Sequence, residues 1–144
     1  MLRKRALKLS AARLQQLLAE YFPHMQEGRF LVEGAEPMRV TVRMPFDDTH
    51  RRPGGTVSGP SLMALADTGM YLAVLAMIGE QPLAVTSSLN INFLRKPRPA
   101  DVIARTTLLR LGRRLAVGEV HMHCEGDGEA VAQATVTYAL PPST

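Results

Sequence analysis

Apolar residues first recur at intervals of three and four. Leu14, Leu17, Leu18, Tyr21 and Phe22 fall on one face of a helix spanning about residues 10–25. Ser10 suits its N-cap, and Pro23 stands where the helix must stop or bend. Residues 38–45 alternate instead, with Val40 and Val42 on one side and Thr41 and Arg43 on the other, which predicts a strand. A loop dense in turn formers, DDTHRRPGG, comes next. Residues 59–79 are apolar on nearly every side, with Gly59 as N-cap, Pro60 at the first helical position and Gly79 at the far end. Such a helix is buried in protein or in lipid. Asp67 at its centre opposes membrane insertion by about 2.5–3.5 kcal/mol. Strands able to cover the helix follow it, at 82–95, 101–111, 114–124 and 130–140. Along 114–124, Ala116, Gly118, Val120, Met122 and Cys124 share one face, and Glu119, His121 and His123 the other. Pro97 and Pro99, Gly112 and the turn EGDGE separate these strands, and the short connections imply an antiparallel sheet. The expected fold class is α+β: an antiparallel sheet of about five to six strands wrapped around one long central helix, with a further helix at the N-terminus.

Composition narrows the class. A chain of 144 residues suits one domain, 1–144, able to bury a core without disulfides. Hydrophobic residues at 46% and charged residues at 21% exclude a disordered chain. The single cysteine, Cys124, fits a reducing, cytoplasmic setting, and the basic start lacks the apolar run of a secretory signal. His121, His123 and Cys124 make a weak metal signal, so no metal is expected. A net charge of +4 raises the question of nucleic acid, but Arg3, Lys4, Arg5, Lys8 and Arg13 crowd into the first thirteen residues. No zinc-finger spacing, aromatic RNA-binding motif or zipper heptad accompanies them, so neither a nucleic-acid nor a membrane partner is expected.

The residue at odds with its surroundings is Asp67, the one charge between Gly59 and Gly79. A buried carboxylate needs partners or a wet cleft. It is either a satisfied structural group or a catalytic one, and chemistry alone leaves both open. The start of the same helix, Thr56-Val57-Ser58-Gly59-Pro60, offers free N–H groups of positive dipole character. These can stabilise the charge that develops on a carbonyl oxygen in acyl transfer, or be plainly capped. Eight residues separate Gly59 from Asp67, about 12 Å along one helix. If both serve one reacting carbon, they come from different subunits related by a two-fold axis, which predicts a dimer with two equivalent sites.

At GGTVSGPSLMALADTGMYLA the chain resembles the hotdog-fold acyl-CoA thioesterases of the phenylacetic-acid-degradation type, relatives of 4-hydroxybenzoyl-CoA thioesterase. SLNINFLRKPRPADVI, Leu111-Gly112-Arg113-Arg114 and AVAQATVTYAL continue the likeness, which covers roughly residues 36–140. The resemblance implies hydrolysis of an acyl-CoA thioester to free acid and CoA in a homodimer or homotetramer. It assigns Asp67 as nucleophile or general base, Gly59 as the N–H that polarises the carbonyl, and Thr86 as a hydroxyl that holds the water. Ser58 stands where the family commonly has His, Pro60 replaces a second Gly, and Arg52, with His50 close by, stands where Asn is common. Ser58, Arg52, His50 and Asn90 are therefore candidate substrate contacts. Arg95, Lys96, Arg98, Arg113 and Arg114 are candidates for the CoA phosphates. CoA enters as part of the substrate, and no separate cofactor is implied. Two alternatives stand beside this reading. One is an acyl-CoA binder without turnover. The other is a hotdog hydratase or dehydratase, whose chemistry would need one of His24, His50, His121 or His123, none of them on the central helix.

Overall fold

The computed structural model describes residues 6–23, 29–47 and 57–142. Its elements run α1 (Ala11–Tyr21), β1 (Leu31–Glu36), β2 (Arg39–Met44), α2 (Gly59–Ile78), β3 (Val85–Phe93), β4 (Val102–Leu111), β5 (Leu115–Cys124) and β6 (Ala132–Ala139). The six strands form one sheet in the order β1-β2-β4-β5-β6-β3, antiparallel at every pairing. This is the sheet around a long helix that the apolar pattern predicts.

The strand period explains how the sheet holds the helix. Val40, Val42 and Met44 of β2, Val102 and Ala104 of β4, Val120 and Met122 of β5, and Ala134 and Val136 of β6 alternate inward and are buried. They meet α2, whose 20 residues include Leu62, Leu65, Met70, Leu72 and Leu75 at 1% exposure or less. At roughly 1.5–3 kcal/mol per fully buried side chain of this size, the helix contributes more to the core than any other single element. It is long and apolar enough to cross a membrane, but 72% of its apolar window is buried inside this fold. Two glycines bring it close to the sheet. A Cβ at Gly69 would stand 2.7 Å from Thr106 Oγ1, and one at Gly118 would stand 2.5 Å from Met70 Sδ.

One expectation needs correction, and two features of the sheet were not predicted. Ser58, not Gly59, caps α2, because its Oγ accepts from Ser61 N; Gly59 is thus the first helical residue and Pro60 the second. β1 has no clear alternating signature, since Gly34 and Ala35 interrupt it and its register slips between Val32 and Gly34. Finally, β3 does not lie beside β4. The connection 94–101 crosses the end of the sheet, so that β3 pairs with β6 and forms an edge. Leu94 N and Arg95 N both donate to Val131 O, and Arg98 grips Asp127 and Glu125 O, pinning that crossover to the β5–β6 turn.

α1 is shorter than expected, ending at Tyr21. Leu14, Leu17 and Leu18 face the core. Gln15 fastens α1 to the start of β1, accepting from Val32 N at 2.7 Å and donating to Phe30 O at 3.0 Å. Arg13 pairs with Glu80 just beyond α2.

Candidate active site

Asp67 lies midway along α2, partly exposed, at a cavity of about 700 Å³. Two hydroxyls converge on one of its oxygens. Thr86 Oγ1 donates to Asp67 Oδ1 at 2.6 Å, and Tyr138 Oη donates to the same atom at 2.9 Å while lying 3.2 Å from the Asp67 carbonyl oxygen. Sheet register explains the convergence. Thr86 and Tyr138 are direct partners across the β3–β6 ladder, so their side chains emerge together on the face that α2 covers. With Oδ1 doubly occupied, Oδ2 has no hydrogen-bond partner among the described residues. A carboxylate held this way has a fixed plane and one free oxygen, as a base or a nucleophile requires.

Tyr138 is nearly fully buried. Burial raises its phenol pKa above the ordinary value, and the neighbouring Asp67 charge and hydrogen bond push it further in the same direction. It therefore stays protonated and donates to Asp67 throughout the neutral range. Tyr71, one helical turn beyond Asp67, also lines the cavity; its hydroxyl lies 3.4 Å from Pro82 O, and burial raises its pKa too.

The helix start is separate from this cluster. Pro60 has no N–H, Ser61 N is taken by Ser58 Oγ, and Leu62 N donates to Ser58 O at 3.2 Å. In the first turn of α2 this leaves the Gly59 N–H without a partner among the described residues. The Phe93 ring packs over it, 3.4 Å from where a Cβ would stand. Within one chain Gly59 and Asp67 remain about 12 Å apart along α2.

The other candidates scatter. Ser58 caps the helix and also donates to Ser61 Oγ at 2.9 Å. Asn90 is exposed on β3, opposite Thr135 and away from the cavity. Arg95 pairs with Glu129 and Arg98 with Asp127, while Lys96 is exposed beside them. Arg113 and Arg114 are exposed at the β4–β5 hairpin. These two basic groups stand at opposite ends of β4, about 30 Å apart at the usual rise per residue, so one chain cannot bring all five to one phosphate. His50 and Arg52 lie outside the described residues, as does His24. His121 and His123 are on the outer face of β5 and Cys124 is buried on its inner face, so the three do not converge. No histidine lines the cavity among the described residues. Sequence reasoning missed Tyr138 and Arg29, both of which line it. Tyr138 had a usable signal: it is in phase with Ala132, Ala134 and Val136 on the buried face of β6, and a buried phenol needs a partner.

The chain is similar to known proteins in sequence and fold. The profile of the Thioesterase superfamily matches residues 54–131, more than half of the chain. A candidate esterase of Pseudomonas aeruginosa is 31% identical over 117 residues, covering 79% of this chain and 84% of that protein. The crystal structure of a candidate thioesterase from Silicibacter sp. TM1040 superposes with a TM-score of 0.90 at 40% identity, covering 97% of each chain. A phenylacetic acid degradation protein from Thermus thermophilus superposes with a TM-score of 0.72 at 30% identity, over 83% of this chain and 99% of that one.

Proposed function

The chain belongs to the thioesterase superfamily, with the hotdog fold of that family, and from this premise we propose that it hydrolyses acyl-CoA thioesters at sites shared between two subunits. The observation that carries the reading is the Asp67 carboxylate, fixed through Oδ1 by Thr86 and Tyr138, with Oδ2 unpartnered among the described residues, at a cavity large enough for an acyl group.

In this reading the thioester carbonyl oxygen accepts the Gly59 N–H of one subunit, whose helix-end dipole favours the negative charge that grows there. Asp67 of the other subunit acts at the carbonyl carbon through Oδ2. As a general base it takes a proton from water, whose oxygen attacks as the C–S bond breaks and CoA thiolate leaves. As a nucleophile it first forms a mixed anhydride, which water then opens. Thr86 and Tyr138 are positioning residues in both routes.

The edge strand supports the shared site. β3 is exposed on both faces for most of its length, and its outer edge has no partner strand among the described residues. Val85, Phe93 and Leu94, with Met63 of α2, expose apolar surface around it. An unprotected apolar edge of this kind pairs readily with another chain. Antiparallel pairing of two β3 strands about a two-fold axis would run the two α2 helices in opposite directions and bring Gly59 of one toward Asp67 of the other.

The test is thiol release from a panel of aliphatic and aromatic acyl-CoAs. Asp67→Asn keeps the shape and is expected to lower turnover by about 10²–10⁴-fold, the usual contribution of a general base. Near-normal turnover in that variant would refute the role of Asp67. Tight binding with no turnover by the unaltered protein would favour an acyl-CoA carrier.

A further inference from the structure

The cavity beside Asp67 holds a cation that the catalytic scheme does not use. Arg29 lines it with Leu18, Phe22, Phe30 and Tyr71, and Asp67 and Arg29 are its two charged lining residues among those described. They form no ion pair with each other. Arg29 Nε is buried and has no hydrogen-bond partner among the described residues. The guanidinium carbon stands 5.4 Å from the centre of the Phe30 ring. Arg13, Arg43, Arg95 and Arg98 each have a carboxylate partner; Arg29 has none among the described residues. Its place is defined by the next residue, whose carbonyl accepts from Gln15 of α1.

A guanidinium whose buried Nε has no hydrogen-bond partner among the described residues carries a desolvation cost at that atom that a bound anion would offset. Its planar fork matches a carboxylate, which it can grip through two parallel hydrogen bonds. The rings of Tyr71 and Phe22, which meet edge to face at 5.4 Å, line the same cavity and supply apolar wall for the chain of an acyl group.

We propose that Arg29 receives a distal carboxylate on the acyl group, so that the favoured substrates are thioesters of dicarboxylic acids, held at one end by Arg29 and cleaved at the other by Asp67. The proposal rests on the thioesterase reading, since it treats the cavity as the acyl site.

The experiment compares adipyl-CoA, which ends in a carboxylate, with hexanoyl-CoA, which has the same chain length and ends in a methyl group. The ratio of their kcat/KM values is measured in the unaltered protein and in Arg29→Met. The unaltered protein is expected to prefer adipyl-CoA, and the substitution to reduce that preference about tenfold or more, as loss of a charged hydrogen-bond pair implies. Because the ratio is internal to each protein, a variant that is partly unfolded still reports it. An unchanged ratio overturns the proposal, as does an equal loss on both substrates, which would put Arg29 on the CoA portion they share. Equilibrium binding of the same two thioesters to Asp67→Asn protein reads the ratio without turnover. Absence of hydrolysis therefore counts against the thioesterase reading, and a flat binding ratio counts against Arg29.

Discussion

At the scale of single residues, the account turns on two hydroxyls sharing one carboxylate oxygen. Thr86→Val removes one donor at nearly constant volume, and Tyr138→Phe removes the other. Each should lower kcat by about tenfold with little change in KM, because neither side chain is assigned a substrate contact. Thr86→Ser should recover most of the loss, whereas a purely structural role for the strand methyl would leave Ser as impaired as Val. Tyr138 also makes a prediction about alkaline stability. Its folded pKa lies above the unfolded value near 10, so its stabilising contribution is complete below about pH 10 and is lost as pH rises beyond that. Urea titrations between about pH 9 and 11.5 should show a shallower decline for Tyr138→Phe than for the unaltered protein. An equal decline would mean that the phenol is not insulated as its burial implies. Asp67 was legible in the sequence because one carboxylate in an apolar helix demands an explanation. Its partners were not, since only β-sheet register places Thr86 opposite Tyr138. The basic residues show the reverse failure. Arg95, Lys96, Arg98, Arg113 and Arg114 are near one another in composition and motif, yet the length of β4 separates them.

At the scale of elements, helix and strand periodicity located α1, α2 and five of the strands to within a few residues. The boundaries that moved have local causes, such as Ser58 outcompeting Gly59 as a cap because its hydroxyl satisfies Ser61 N. β1 lacked a pattern because the bulge between Val32 and Gly34 breaks the period of two. How closely α2 approaches the sheet was also illegible, and it can be tested at Gly69. A helical glycine changed to alanine ordinarily gains about 1 kcal/mol in propensity. Here the new Cβ would stand 2.7 Å from Thr106 Oγ1, a contact that requires movement. Thr106 Oγ1 is itself buried without a hydrogen-bond partner among the described residues. Gly69→Ala should therefore destabilise by about 1–3 kcal/mol in the presence of Thr106. In a Thr106→Ala background the same change should become neutral or stabilising. Urea midpoints for the four proteins of this double-mutant cycle measure the coupling. Equal effects in both backgrounds would mean that the helix and β4 do not meet at this pair.

At the scale of the whole molecule, the sequence predicts a sheet around a helix but not the strand order, because the connection 94–101 is long enough to cross the sheet end and gives no sign of doing so. That crossover makes β3 an edge and gives the molecule an exposed apolar seam. The shared-site scheme depends on this seam. Light scattering should give a mass of about twice 15.8 kDa, or a multiple of it. The most direct test is complementation between two inactive chains. Asp67→Ala removes the carboxylate. Gly59→Pro removes the helix-end N–H at a first helical position where proline is well accommodated. Each homodimer should be inactive. In a mixed dimer, one site carries both lesions and the other retains an intact Asp67 and an intact Gly59. Chains unfolded together and refolded at equal concentration should therefore recover about a quarter of the unaltered activity, since half of randomly paired dimers are mixed and each of those has one working site. Recovery at that level is the predicted result. No recovery, from chains shown to have exchanged, would contradict a site built across two subunits.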